Sequence, residues 1–116
     1  VFSRSIPSIV IEHVRPGLDA FLAAHALILD DVRHIIAHPG GARVLGAYAE
    51  ALDLAPAALG HARDVLRGFG NMSSPSCLFV LERFLASGDI AAGDHAVIMA
   101  LGPGFSAEYV LVRGEA

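Results

Sequence analysis

Two polar side chains in short turns have the types and surroundings that catalysis needs. His38 lies in the segment Ala37-His38-Pro39-Gly40-Gly41, and Asn71 lies in Gly70-Asn71-Met72-Ser73-Ser74. Histidine can carry a proton or a positive charge near pH 7, whereas asparagine offers a fixed amide N–H donor. Because reactive groups often occupy turns held by a rigid apolar scaffold, these two residues are the first candidates for a catalytic pair.

His38 directly follows His34–Ala37, an apolar run that predicts a short buried strand. The carboxyl end of a strand is where open α/β sheets commonly place ligands and catalytic groups. Pro39 restricts the backbone at the exit, and Gly40-Gly41 lets another chain or a substrate approach closely. A structural histidine that caps the next helix is the alternative interpretation, and the spacing alone leaves both open.

Asn71 stands just before a predicted helix that Ser73 or Ser74 can cap, with Pro75 in its first turn. Its amide N–H could stabilise a developing carbonyl or enolate oxygen, supported by the positive end of the helix. An ordinary turn asparagine is the alternative. The segment Gly102-Pro103-Gly104-Phe105 is a third candidate, as a stiff loop forming a cavity wall or as a simple hairpin connection.

Cys77 is the only cysteine, and it falls on a predicted apolar helix face together with Leu78, Leu81, Phe84 and Leu85. A thiol on such a face is more often an inert core residue than a nucleophile. The remaining histidines have no Cys, Asp or Glu at metal-ligand spacing, so we expect no metal site. A single cysteine cannot form an internal disulfide, which fits a reducing compartment and predicts a cytoplasmic location.

The chain has 116 residues, the size of one domain, and is 54% hydrophobic but only 17% charged. A small domain can hardly hide so much apolar surface, so we expect a twin subunit, a missing domain or both to cover part of it. The net charge is −4, lysine is absent and no basic patch occurs, which argues against nucleic acid as a partner. No apolar run is long enough to span a bilayer, and no membrane partner is expected.

The periodicity predicts alternating helices and strands, hence an α/β layer with parallel strands near the front of the chain. Gly102-Pro103-Gly104 connects a final pair of strands, which should be antiparallel. The first helix has an apolar stripe formed by Ile9, Val10, Val14, Leu18, Phe21 and Leu22. Proline inside this helix, at Pro16-Gly17, predicts a kink or a break there. In order, we expect a strand end at Val1–Arg4, helices over Ser8–His25, Ala42–Leu52, Pro56–Ala58 and Ala62–Gly68, and strands at His34–Ala37, His95–Leu101 and Ala107–Val112. One more helix precedes the last two strands; Ser73 or Ser74 caps it, and Ser87-Gly88-Asp89 ends it.

Taken together and in order, the three glycine-rich segments resemble the C-terminal domain of type III polyketide synthases, the chalcone and stilbene synthase family. The spacers match too, including Ala51–Leu54, Pro56 and the run Leu78-Phe79-Val80-Leu81-Glu82. The resemblance covers nearly the whole chain, residues 1–116, as one domain. It implies the C-terminal half of a thiolase-like fold, a mixed sheet with helices packed on it and an antiparallel final strand pair.

The resemblance implies an acyltransferase that acts as a homodimer on coenzyme A thioesters and needs no metal or further cofactor. Such enzymes load an acyl group onto a cysteine, decarboxylate malonyl-CoA and join the two units in a Claisen condensation. By resemblance, His38 holds the thiolate and binds the thioester oxygen, and Asn71 stabilises the enolate. Ser73, Gly102, Pro103 and Gly104 would line the cyclisation cavity, and Gly40, Gly41 and Arg43 the coenzyme A tunnel.

Two departures qualify this resemblance. The family loop usually reads Gly-Phe-Gly-Pro-Gly, whereas here Ala100-Leu101 precede Gly102-Pro103-Gly104, which suits a bacterial member with a different product. The nucleophilic cysteine belongs to the N-terminal half, which this chain lacks. We therefore expect the chain to be a fragment that is inactive alone and needs that half of the same protein.

Two other classes of function stay open at this point. One is a ketoacyl synthase III-like condensing enzyme, whose members generally have Gly-Asn-Thr-Ser and lack His-Pro-Gly-Gly; carrier-protein dependence would identify it. The other is a non-catalytic thiolase-like dimerisation module. An upstream reading frame with a cysteine between a strand and a helix would favour the synthase over the module.

Overall fold

The computed structural model describes residues 6–38, 42–69, 74–101 and 107–115. Within these ranges a helix and a strand are followed by three helices and a final pair of strands, in the order that the periodicity predicts. The elements are α1 (Ile6–Ala23), β1 (Val32–Ala37), α2 (Ala42–Ala51), α3 (Gly60–Phe69), α4 (Ser74–Ser87), β2 (His95–Leu101) and β3 (Ala107–Arg113), with short 3-10 helices at Leu29–Asp31 and Pro56–Leu59. The strand end expected at Val1–Arg4 lies outside the described residues.

The three strands form one mixed sheet in the order β1-β2-β3. The pair β1/β2 is parallel, with Ala37 opposite Met99, and the pair β2/β3 is antiparallel, with Leu101 opposite Ala107. Both orientations confirm the sequence-based prediction. Since parallel strands end at the same edge of a sheet, the chain leaves β1 and β2 on one side of the molecule.

Helix α1 runs without interruption from Ile6 to Ala23 with Pro16 inside it, so of the two predicted outcomes, a kink or a break, the break does not occur. Pro16 is exposed, which leaves the carbonyl that loses its helical hydrogen bond on the solvent side. The core face of the helix is continuous across the proline, because Val14 and Leu18 are both buried. Packing on that face outweighs the local cost of the proline.

The core lies between the sheet and the helices packed on it. Its largest fully buried side chain is that of Tyr48 in α2. The predicted stripe of α1 is confirmed at four positions that are at most 2% exposed. Buried core residues are Val10, Val14, Leu18, Leu22, Ile35, Ile36, Ala37, Leu45, Ala47, Tyr48, Leu52, Leu59, Ala62, Val65, Val80, Phe84, Ala96, Val97 and Met99.

The buried face of α4 differs from the sequence-based prediction. Val80 and Phe84, one turn apart, are buried, whereas Leu78 and Leu85 are 67% and 58% exposed. The predicted face, which included Leu78 and Leu85, is therefore wrong in part. Because the large apolar residues of α4 lie on more than one side of the helix, its sequence pattern cannot say which side meets the sheet.

No helix in the described ranges combines the length and the apolar character that crossing a membrane would require.

Candidate functional site

His38 is the first residue after β1, and its backbone still belongs to the strand ladder. Its N–H donates a 2.9 Å hydrogen bond to the carbonyl of Met99 in β2. The side chain is partly buried, and this burial lowers the pKa of the imidazole. His38 is therefore mainly neutral at pH 7, with one ring nitrogen carrying a proton and the other free to accept one. The predicted placement at the carboxyl end of a buried strand is confirmed.

The end of β2 lies beside His38. Ala37 is paired with Met99, and β2 continues two residues further to Leu101, which is paired with Ala107 of β3. The end of β2 and the beginning of β3, which residues 102–106 connect, therefore lie at the same edge of the sheet as His38. Gly102, Pro103 and Gly104 themselves lie outside the described residues.

Asn71 and Ser73 also lie outside the described residues, in the connection between Phe69, where α3 ends, and Ser74, where α4 begins. Gly40 and Gly41 fall in the undescribed connection between His38 and α2. The roles of these four residues, including any contact between Asn71 and His38, stay predictions.

Arg43 is exposed in the first turn of α2. The N-terminal end of a helix carries partial positive charge, to which the guanidinium adds a full one. An anionic group is therefore the ligand class that suits this end of α2. The coenzyme A assignment of Arg43 stays a prediction.

Cys77 lies in α4 and is half-buried. Burial raises the pKa of its thiol, which is the opposite of what a nucleophilic thiolate needs. The structure thus supports the interpretation of Cys77 as a packing residue. Within the described ranges, no group of three or more His, Cys, Asp or Glu side chains is arranged to hold a metal ion.

Two histidine–aspartate pairs were missed by the sequence reasoning. His34 Nε2 lies 3.1 Å from Asp94 Oδ2, and His61 Nε2 lies 2.9 Å from Asp89 Oδ2. The two imidazole rings flank the ring of Phe84, with centroid distances of 5.0 and 5.9 Å. The partners are separated by 60 and 28 residues, so no local pattern in the sequence could reveal them.

The family model described as "Chalcone and stilbene synthases, C-terminal domain" matches residues 2–116. The chain therefore belongs to this family, as the three motifs predicted. It is 43% identical over 113 residues to the 1,3,6,8-tetrahydroxynaphthalene synthase of Streptomyces peucetius subsp. caesius, covering 97% of this chain and 30% of that enzyme.

Two solved structures share the fold. The tetrahydroxynaphthalene synthase of Streptomyces coelicolor A3(2), a bacterial type III polyketide synthase, superposes with a TM-score of 0.89 at 26% identity, covering 100% of this chain and 33% of that one. CsyB, solved in complex with CoA-SH, gives a TM-score of 0.82 at 26% identity, covering 98% and 33%. The chain thus spans about a third of the length of the relatives it matches, and its fold corresponds to part of a type III polyketide synthase.

Proposed function

We propose that this chain supplies the histidine and asparagine of a type III polyketide synthase, a transferase that extends an acyl-CoA starter with malonyl-CoA. The observation that carries the proposal is the placement of His38. It is half-buried at the carboxyl edge of two parallel strands and backbone-bonded to the strand that leads into Gly102-Pro103-Gly104. Family membership and similarity to a protein that binds CoA-SH support the same substrate class.

The chemistry requires a thiolate from the two-thirds of the enzyme that this chain does not span. That thiolate attacks the starter thioester, a new thioester bond forms to the enzyme, and coenzyme A leaves as its thiolate. Decarboxylation of malonyl-CoA releases CO2 and leaves an enolate, whose carbon attacks the enzyme-bound acyl group. A carbon–carbon bond forms and the thiolate is released for another cycle.

His38 and Asn71 serve these steps as hydrogen-bond donors. A neutral His38 donates its ring N–H to the thioester oxygen, where negative charge develops. A thiolate close to the ring would favour the imidazolium form, so the same residue can hold the nucleophile as an ion pair. Asn71 donates its amide N–H to the enolate oxygen. Ser73, Gly102, Pro103 and Gly104 shape the cavity, and Gly40, Gly41 and Arg43 border the entry path for coenzyme A.

Substitution of the two donors tests this function. In the full-length synthase, His38→Ala and Asn71→Ala should each lower kcat by about 10²–10³-fold, the usual cost of losing one oxyanion donor. Product formation from acyl-CoA and malonyl-CoA is the measurement. His13→Ala is the matched control, because His13 is an exposed histidine on α1. Near-normal turnover in both variants would refute the proposed roles.

The chain by itself should be inactive. It lacks an activated thiolate among its described residues, since Cys77 has a raised pKa. Polyketide formation by the purified chain, without the amino-terminal part, would contradict the proposed division of the site.

A further inference from the structure

We propose that the His34–Asp94 pair fixes the pairing of β1 with β2 and thereby positions His38. The inference rests on the proposed catalytic role of His38, but it concerns residues outside the three sequence motifs. His34 and Asp94 are positioning residues, because neither lies at the edge where His38 ends the strand. His34 precedes His38 by four residues of extended chain, a distance of about 13 Å.

Asp94 is itself held by contacts at the other end of the sheet. Its Oδ2 accepts the N–H of Ala91 at 2.9 Å as well as approaching His34 Nε2 at 3.1 Å. Its backbone carbonyl accepts the N–H of Gly114 at 2.9 Å, and Gly114 follows directly after β3. Asp94 therefore connects three parts of the sheet: the segment that leads into β2, the residue that follows β3, and His34 of β1.

The start of β1 needs such an anchor because its pairing is irregular there. Val32 is opposite His95 but His34 is opposite Ala96, so Arg33 is an extra residue on the β1 side. Parallel strands have no tight turn between them to set their register. The first regular position after the irregularity is His34, the residue that Asp94 binds.

The imidazole of His34 is also held by a contact with helix α4. Its ring contacts Phe84 of α4 with a centroid distance of 5.0 Å, and Phe84 is buried. The side chains of His34 and Asp94 are only 22% and 20% exposed, which limits competition from water. Arg33 Nε lies 3.9 Å from the other oxygen of Asp94 and is largely exposed, so His34 makes the shorter contact.

Register then determines where His38 points. Alternation along the strand directs His34, Ile36 and His38 to the same face of the sheet. A slip by one residue would turn His38 to the opposite face and replace its bond to the Met99 carbonyl. The His34–Asp94 pair at the beginning of the strand thus opposes the displacement that would disorient the catalytic group at its end.

His34→Phe in the full-length synthase is the test. Phenylalanine retains a ring against Phe84 but cannot donate to Asp94. We expect kcat to fall by about 10–10²-fold, in line with a misplacement of about 1 Å, while KM for the CoA thioesters stays the same. His34→Gln should restore most of the rate, because its amide nitrogen can donate to Asp94 in place of Nε2.

His61→Phe is the matched control. It makes the same chemical change in a pair that also contacts Phe84, but His61–Asp89 connects α3 to the segment after α4 and not to β1. It should lower stability without lowering kcat. The limb of the kcat/KM pH profile that His38 controls should shift in His34→Phe and stay unchanged in His61→Phe.

The outcomes separate this inference from the proposed function. If His38→Ala abolishes turnover and folded His34→Phe retains full kcat, the positioning role is wrong and the proposed function stands. An equal loss of kcat in His34→Phe and His61→Phe, or no recovery with Gln, also overturns it. If His38→Ala turns over normally, the proposed function itself fails. Should His34→Phe not fold, His34→Leu replaces it; failure of both to fold would mean a purely structural pair.

Discussion

At the scale of single residues, the environment of a side chain decides what it can do. His38 and Cys77 are both partly buried, and burial disfavours the charged form of each. For His38 this gives a neutral ring with a proton to donate, which suits a group that must stabilise an oxyanion. For Cys77 it gives a protonated thiol, which suits packing.

Asp94 and Asp89 make the free energy of unfolding depend on pH in the acid range. The N–H of Ala91, followed by His34, lowers the pKa of Asp94, and hydrogen bonds from His61 and then Ser87 lower that of Asp89. A lowered pKa in the folded state gives stability that is present above the ordinary value of about 3.8 and is lost as pH falls through the lowered value. We expect the free energy of unfolding to decrease below about pH 4.

Denaturant titrations between pH 2 and 6 measure this effect. Asp94→Asn should flatten the acid limb, because the carboxylate that titrates is gone. Asp53→Asn, at an exposed turn position with positive φ, should leave the limb unchanged. Identical acid limbs for the wild type and Asp94→Asn would show that these hydrogen bonds do not couple stability to pH.

At the scale of elements, α1 contacts β3 at Gly17, where the absence of a side chain leaves room for Tyr109. A Cβ atom at Gly17 would lie 2.9 Å from the hydroxyl oxygen of Tyr109. That hydroxyl is buried and has no hydrogen-bond partner among the described residues, and the Tyr109 ring packs 5.3 Å from Phe21. Glycine next to Pro16 thus leaves room for the Tyr109 hydroxyl, and the helix continues through it.

Gly17→Ala should destabilise the protein by about 1 kcal/mol or more, because the overlap outweighs the gain in helix propensity. Gly46→Ala in α2 is the control, since nothing lies within 4 Å of its added Cβ, and it should be stabilising by up to about 1 kcal/mol. In a Tyr109→Phe background the overlap disappears, so Gly17→Ala should become stabilising. Thermal unfolding measures all four variants, and a destabilising effect that persists without the hydroxyl would contradict this explanation.

The order of the helices and strands could largely be predicted from the sequence. The features that could not be predicted are contacts between residues distant in the chain. Strand orientation follows from connection length, since a tight connection enforces the antiparallel pair β2/β3 and helices separate β1 from β2. The face of α4 and the partners of His34 and His61 could not be predicted, because each depends on residues far away in the chain. His38 was identifiable because its signal is local, a polar residue directly after a buried strand.

At the scale of the whole molecule, some of the many apolar side chains are exposed on the surface. Leu78, Phe79 and Leu85 of α4 are among the large hydrophobic residues that remain at least 41% exposed. Large apolar side chains exposed close together commonly mark a surface that another part of the protein covers. We expect the part of the synthase that this chain does not span to cover this side of α4.

Charge placed on α4 tests that expectation. Leu78→Glu and Leu85→Glu should each lower the unfolding free energy of the full-length protein by about 1.5–3 kcal/mol, the value of burying one leucine. In the isolated chain the same changes should reduce self-association, measured by sedimentation. Ile28→Glu is the control, because Ile28 is similarly exposed, at 63%, and belongs to the connection between α1 and β1. Full-length stability unaffected by all three changes would show that this side of α4 stays in water.

The bond between His38 and Met99 has an evolutionary consequence. It joins two backbone groups, so no side-chain replacement at residue 99 removes the acceptor, and at residue 38 only proline would remove the donor. Apolar substitutions at Met99 can therefore alter the volume of the core while the attachment point of the imidazole is conserved. Related sequences can therefore vary at residue 99 and keep His38 in place, because the carbonyl that binds the His38 N–H is present whichever amino acid occupies residue 99.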